Sequence, residues 1–221
     1  MMHRPSVPGE LEATRIVAIM RRTAETAAVE TAEALLAGGI CALEVTCDTP
    51  GAFEMIAAIK ATLGTRACLG AGTVLDVASA ASALAAGAAF LVSPHTDPEL
   101  IQWASARGVP FIPGALSPTE VLTAWRAGAA LVKLFPAGSL GAEFLKDIRG
   151  PLREIPLLPT GGITLDNATS FLRAGAWGLG IGSALVDPKL VASGDYPKIE
   201  RRARGFIQLA AGVHATGAGT R

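Results

Sequence analysis

The sequence predicts a single-domain α/β protein of the (β/α)8 TIM-barrel class, and three observations predict it. Short β-rich apolar runs alternate with helical stretches, an Ala-Gly turn recurs ahead of every second strand, and no Gly-x-Gly-x-x-Gly fingerprint follows the first strand. Alternation of this kind builds a parallel sheet. The eight strands expected are Ile16–Met20, Ala42–Thr46, Ala67–Gly70, Ala89–Val92, Pro110–Ile112, Leu131–Leu134, Leu157–Pro159 and Gly178–Ile181. The helices between them are expected at Ala24–Ala37, Gly51–Leu63, Val77–Ala86, Pro98–Ala106, Pro118–Ala127, Ala142–Ile148 and Leu165–Ala174, with a last one across Ile199–Leu209.

The repeat reads Ala37-Gly38-Gly39-Ile40, Ala86-Gly87-Ala88-Ala89, Ala127-Gly128-Ala129-Ala130 and Ala174-Gly175-Ala176-Trp177. Glycine suits a helix C-cap, where φ turns positive before the chain re-enters the sheet. Alanine-rich helices often end this way, so one copy means little; copies in register with strand signals mark a structural repeat. Units of about 25 residues close into a barrel more naturally than they form an open sheet. The barrel is expected over 15–212, with a poorly ordered N-terminal extension at 1–14 and a tail at 213–221, both short of periodic apolar residues.

Composition narrows the function classes. Half of the 221 residues are hydrophobic, enough for one large core, and Lys+Arg and Asp+Glu both number 19. No net field draws the chain toward nucleic acid or an anionic membrane, so a small neutral or anionic ligand is expected. Cys41, Cys47 and Cys68 fit neither a disulfide framework nor a zinc site and read as reduced core or pocket-wall thiols. No apolar signal segment and no run of ~18 apolar residues is present, so a cytoplasmic location is expected.

Barrels of this class assemble their sites at the C-terminal ends of the strands. Lys133 lies inside Ala129-Ala130-Leu131-Val132-Lys133-Leu134-Phe135, where a charged ammonium is costly to desolvate. Desolvation favours the neutral amine, the nucleophile that condenses with a ketone. A lysine paired with a buried carboxylate, or one reaching out of the strand end, is the plainer alternative. Glu44, in Cys41-Ala42-Leu43-Glu44-Val45, is the matching carboxyl: burial raises its pKa toward the range useful for proton transfer, and a mere ion pair with Lys133 is its plainer alternative. Thr160-Gly161-Gly162-Ile163-Thr164 and Gly180-Ile181-Gly182-Ser183 follow the last two strands, where barrels bind phosphate through backbone N–H groups. His95 has no partner at metal-ligand spacing. Glu44 and Asp48 share one strand-end loop and could together hold a divalent ion, but that leaves Lys133 unexplained, so no metal or other cofactor is expected.

From about Ile16 to Ala211 the chain resembles the class I aldolases for 2-keto-3-deoxy-6-phosphogluconate (KDPG) and 4-hydroxy-2-oxoglutarate (KHG). The likeness rests on Glu44-Val45-Thr46, Gly70-Ala71-Gly72-Thr73-Val74-Leu75, Ser93-Pro94, Lys133-Leu134-Phe135-Pro136-Ala137 and Pro159-Thr160-Gly161-Gly162-Ile163. It implies Lys133 as the Schiff-base lysine, Glu44 as general acid/base, Thr73 and Pro94 lining the pyruvate site, and Thr160, Gly161, Gly162, Gly182 and Ser183 meeting the substrate, several of them at a phosphate. It also implies a covalent imine in place of a cofactor, and a homotrimer. One residue departs from the pattern. The family's phosphogluconate enzymes carry Arg four residues after the glutamate, where this chain has Asp48. Arg21, which resembles an arginine of the related phosphogalactonate aldolases, is expected to supply the missing charge for the substrate carboxylate.

The expected reaction is reversible cleavage of a 4-hydroxy-2-keto acid, phosphorylated or not, to pyruvate and an aldehyde. Two other classes remain open on the residues alone. A sugar-phosphate isomerase or epimerase would use Glu44 to abstract a proton beside a stabilising Lys133, and a non-catalytic descendant would bind a keto acid without turnover.

Overall fold

The computed structural model describes residues 4–217, an alternating α/β chain whose paired strands are all parallel. A short helix, α1 (Gly9–Thr14), precedes β1 (Ile16–Met20), α2 (Ala28–Ala37), β2 (Ala42–Thr46), α3 (Ala52–Leu63), β3 (Cys68–Gly72), α4 (Val77–Ala85), β4 (Phe90–Val92) and α5 (Pro98–Ser105). There follow β5 (Phe111–Ile112), β6 (Gly114–Ala115), α6 (Pro118–Ala127), β7 (Val132–Leu134), α7 (Gly141–Arg149), β8 (Leu157–Pro159), α8 (Leu165–Arg173), β9 (Leu179–Ile181), α9 (Pro188–Ser193) and α10 (Tyr196–Gly217).

The strands form two sheets instead of the single eight-stranded ring expected. One has the order β5-β4-β3-β2-β1-β9 and the other β6-β7-β8. The division has a local cause. The expected fifth strand, Pro110–Ile112, is followed by Pro113 and then by the unexpected β6; Pro113 has no N–H to give a neighbour, although its carbonyl still accepts from the Lys133 N–H at 2.9 Å. At the other seam a parallel bridge joins Thr160, just past β8, to Gly180 in β9.

The Ala-Gly repeat takes the expected form. Gly39, Gly87, Gly128 and Gly175 have φ of 95°, 107°, 108° and 94°. After each, the next N–H reaches back five residues: Ile40 to Leu35, Ala88 to Ala83, Ala129 to Ala124 and Ala176 to Phe171. That is the Schellman closure of a helix C-terminus.

The N-terminal extension departs from expectation. Leu11 of α1 is fully buried, and the Arg4 guanidinium stacks 3.3 Å over the Trp125 ring while donating to the carbonyls of Ala129 (2.9 Å) and Trp125 (2.8 Å). One apolar anchor and one stacked cation hold this segment, and neither needs periodicity in the sequence. Residues 1–3 lie outside the described residues, as do 218–221 of the expected tail; the rest of that tail continues α10 to Gly217. Helix α9 was also unexpected. Its signal was the Asp187-Pro188 pair, a cap followed by proline at the first helical position, with Asp187 Oδ1 accepting the Lys189 N–H at 2.9 Å.

Strand alternation sorts the core into two clusters. Ile16, Ala18 and Met20 of β1, Leu43 and Val45 of β2, and Val132 and Leu134 of β7 belong to the large cluster that includes the helices. The opposite parity, Val17 and Ile19, Ala42, Cys68, Phe90, Val92, Ile112 and Leu158, forms a second cluster between the strands, joined by Leu11. Glu44 and Lys133 sit on this inner parity, one strand position past Ala42 and Leu131 on the same face. Leu11→Ala removes the side chain that extends the inner cluster from α1; it is expected to cost about 2–5 kcal/mol in urea unfolding, as for other fully buried leucines.

Candidate active site

Lys133 and Glu44 are carried into the interior by strands whose other residues are apolar. Their side chains are 4% and 2% exposed. Burial is the largest influence on each. It pushes the Lys133 amine below its ordinary 10.5, opposed by the attraction of Glu44 and aided by the repulsion of Arg21. It pushes the Glu44 carboxyl above its ordinary 4.5; Lys133 and Arg21 oppose the shift, and Asp48 adds to it. Attraction between the two is therefore outweighed by loss of solvent, and both lean toward their neutral forms. A neutral amine is a nucleophile and a neutral carboxyl is a proton donor. Among the described residues Glu44 Oε1 has no hydrogen-bond partner, so this oxygen is not consumed by the fold.

Space for Glu44 comes from Gly72, since a Cβ there would fall on the carboxyl oxygen. The register pairs Glu44 with Gly70 and Thr46 with Gly72, so two of the glycines in Gly70-Ala71-Gly72-Thr73 face the inner cluster. Lys133 pairs with Gly114 of β6, whose own missing side chain lets the Pro94 backbone approach. The Lys133 ammonium nitrogen is 5.1 Å from the Phe135 ring centroid, and Phe135 precedes a cis proline, Pro136.

A cavity of about 400 Å³ opens on Lys133. Its walls are Arg21 and Arg22 after β1, Phe135 after β7, Thr160, Gly161 and Gly162 after β8, and Gly182 and Ser183 after β9. No carboxylate lines it. Gly161 and Gly162 adopt φ of 86° and 75°, which brings the turn against Gly138, whose N–H donates to the Gly161 carbonyl at 2.7 Å. Among the described residues the N–H groups of Gly161, Gly162, Ser183 and Ala184 donate to no protein acceptor. Asn167 supports this wall, its Nδ2 donating to the Gly162 carbonyl at 2.8 Å and its Oδ1 accepting the Thr164 N–H at 2.9 Å. Free N–H groups ahead of a helix N-terminus suit an anion.

The structure thus brings Lys133, Arg21, Thr160, Gly161, Gly162, Gly182 and Ser183 onto one cavity. Thr73 stands off its wall but is tied to it: Arg21 Nη2 donates to Thr73 Oγ1 at 2.8 Å, and Arg21 Nη1 to Asp48 Oδ2 at 3.1 Å. Pro94 is half-buried behind Gly114. His95 is exposed, with its carbonyl accepting from Ser93 Oγ. No group of three or more His, Cys, Asp or Glu side chains is placed to hold a metal among the described residues, and none of their helices is long and apolar enough to cross a membrane. Arg22, Ala184, Val186 and Pro188 also line the cavity without having been singled out. The doubled arginine at the end of β1 was the available signal.

A family model for KDPG and KHG aldolases matches residues 7–202. The chain belongs to this family. A 2-dehydro-3-deoxy-phosphogluconate aldolase of Treponema pallidum (strain Nichols) is 37% identical over 203 residues, covering 90% of this chain and 95% of the relative. The 2-dehydro-3-deoxy-6-phosphogalactonate aldolase of Escherichia coli (strain K12) is 32% identical over 171 residues, covering 77% and 83%. A crystal structure of the KDPG aldolase from Legionella pneumophila, with pyruvate captured as a covalent carbinolamine intermediate, superposes with a TM-score of 0.83 at 30% identity, covering 89% of this chain and 96% of that one.

Gly72→Ala is expected to leave the fold intact, because the pressure falls on one side chain, and to lower turnover at least tenfold by displacing the Glu44 carboxyl. Steady-state kinetics beside a circular-dichroism spectrum checks both halves.

Proposed function

We propose that the protein is a class I aldolase that reversibly cleaves a 4-hydroxy-2-keto acid, of the kind of 2-keto-3-deoxy-6-phosphogluconate or 4-hydroxy-2-oxoglutarate, to pyruvate and an aldehyde through an imine on Lys133. The observation that carries this reading is a desolvated amine whose pKa is pushed down, opening on a carboxylate-free cavity beside a carboxyl whose pKa is pushed up. The carbinolamine captured in the Legionella pneumophila relative supports the same chemistry.

In this reading the neutral Lys133 nitrogen attacks C2 of the keto acid, and the carbonyl oxygen takes a proton from Glu44 to give a carbinolamine. The surplus proton of the attacking nitrogen then passes through Glu44 to that oxygen, which leaves as water, so that the cationic imine forms and Glu44 ends as a carboxylate. Glu44, now a carboxylate, accepts the C4 hydroxyl proton as the C3–C4 bond breaks; the aldehyde leaves and the electron pair of the bond moves into the enamine. Protonation at C3 and hydrolysis release pyruvate and restore the amine. Arg21 holds the carboxylate of the keto acid with the N–H groups that Asp48 and Thr73 leave free, Thr73 and Pro94 flank the pyruvate portion, and Thr160, Gly161, Gly162, Gly182 and Ser183 receive the far end, a phosphate where the substrate carries one. Asp48, close to Arg21, fits its partner charge.

The two sheets belong to one (β/α)8 barrel in this reading. Support comes from the Thr160–Gly180 bridge at one seam, the single residue Pro113 at the other, and the inner cluster drawn from strands of both sheets. The protein acts as a cytoplasmic homotrimer, and exposed Leu75 and Leu116 on the loops after β3 and β6, with Val77 at the start of α4, supply apolar surface for such an assembly.

Incubation with pyruvate and borohydride, followed by peptide mass spectrometry, is expected to place a reduced adduct on Lys133 and none on Lys133→Met. No adduct between neutral and mildly basic pH would overturn the reading in favour of an isomerase or a binding protein. Arg21→Ala is expected to raise the KM for pyruvate in the synthetic direction at least tenfold; an unchanged value removes Arg21 from the carboxylate site.

A further inference from the structure

Three cations reach the cavity, and two of them are committed. Lys133 is buried and feels the charge of Glu44. Arg21 is held by Asp48 and Thr73. Arg22 is different: among the described residues its side chain makes no ion pair or hydrogen bond, although it is exposed and lines the cavity wall. It also borders two adjoining clefts, one with Thr23, Glu25 and Thr49 and the other with Thr26, Pro188 and Tyr196, and so it stands at the outer rim where substrate enters.

Its backbone is fixed in a conformation that arginine rarely adopts. Arg22 has φ of 56°, and its N–H donates to the buried Thr49 Oγ1 at 3.0 Å, which in turn is 3.0 Å from Thr46 Oγ1. A non-glycine residue at positive φ is strained and persists only where the surroundings enforce it. Here two hydroxyls on the β2 end enforce it. The consequence is that consecutive arginines project from one strand end without sharing a partner, Arg21 engaged at Asp48 and Arg22 left free.

Among the described residues the rest of the cavity lining offers the unpaired N–H groups of Gly161, Gly162 and Ser183 and no negative charge. Such a wall suits an anion, and a free guanidinium on the same cavity adds the planar donor fork that phosphate accepts. We infer that Arg22 is a specificity-determining residue for the aldolase reaction, receiving the terminal phosphate of the aldehyde portion together with the glycine turns that line the same cavity. The inference rests on the aldolase reading but tests separately from it.

The protein and its Arg22→Gln and Arg22→Lys variants are assayed on 2-keto-3-deoxy-6-phosphogluconate and on its unphosphorylated counterpart, and inorganic phosphate is titrated into each by calorimetry. The ratio of kcat/KM for the phosphorylated over the unphosphorylated substrate is expected to fall at least tenfold in Arg22→Gln and less in Arg22→Lys, which keeps the charge and loses the fork. Phosphate affinity is expected to fall in the same order, while the pyruvate adduct on Lys133 still forms. A ratio and a phosphate affinity both unchanged in Arg22→Gln overturn the inference even if the adduct forms. Absence of the adduct in the unaltered protein overturns the aldolase reading, and the phosphate titration then decides Arg22 by itself.

Discussion

Burial of Lys133 and Glu44 on the inner parity of the two parallel sheets is the constraint on which the site depends. Two ionisable groups in an apolar interior lose most of their hydration, and their mutual attraction returns only part of it. The directions of both shifts show that hydration loss outweighs attraction here. That balance moves Lys133 toward the amine that attacks and Glu44 toward the carboxyl that donates a proton. A more exposed pair would sit as a solvated salt bridge, with neither group in its reactive form.

The rest of the architecture serves this balance. Strands with apolar residues on both faces carry the pair inward, and glycines provide the room: Gly72 beside the carboxyl, Gly114 paired with Lys133. The charged residues stay at the rim. Arg21 and Asp48 form an exposed pair, worth little to stability because solvent screens it, so its value lies in holding a guanidinium at the cavity. Arg21 also acts at a distance, since its charge opposes the upward shift of Glu44 and adds to the downward shift of Lys133.

Much of this was legible in the residues, and for a physical reason. A lysine within seven residues that are otherwise apolar, and a glutamate within another apolar run, are anomalies that burial alone makes visible. The Ala-Gly repeat was legible because a Schellman closure needs positive φ, although the first copy uses Gly39 and not Gly38. Features set by single long-range contacts were not legible. Order in the N-terminal segment depends on Leu11 entering the inner cluster and Arg4 meeting Trp125, 121 residues away in sequence. The break at Pro113 shows as two sheets because one missing N–H interrupts the ladder, and Arg22 joins the cavity because of a positive φ that its neighbours impose.

The central claim concerns the protonation of Lys133, and heteronuclear NMR titration of the lysine side chains in the unliganded protein measures it directly. The Lys133 resonance, assigned by its loss in Lys133→Met, is predicted to titrate below 10.5 in the unaltered protein and lower still in Glu44→Gln, because the carboxyl's charge is what raises it. A Lys133 that titrates at or above 10.5, or that rises when Glu44 is neutralised, would contradict the account.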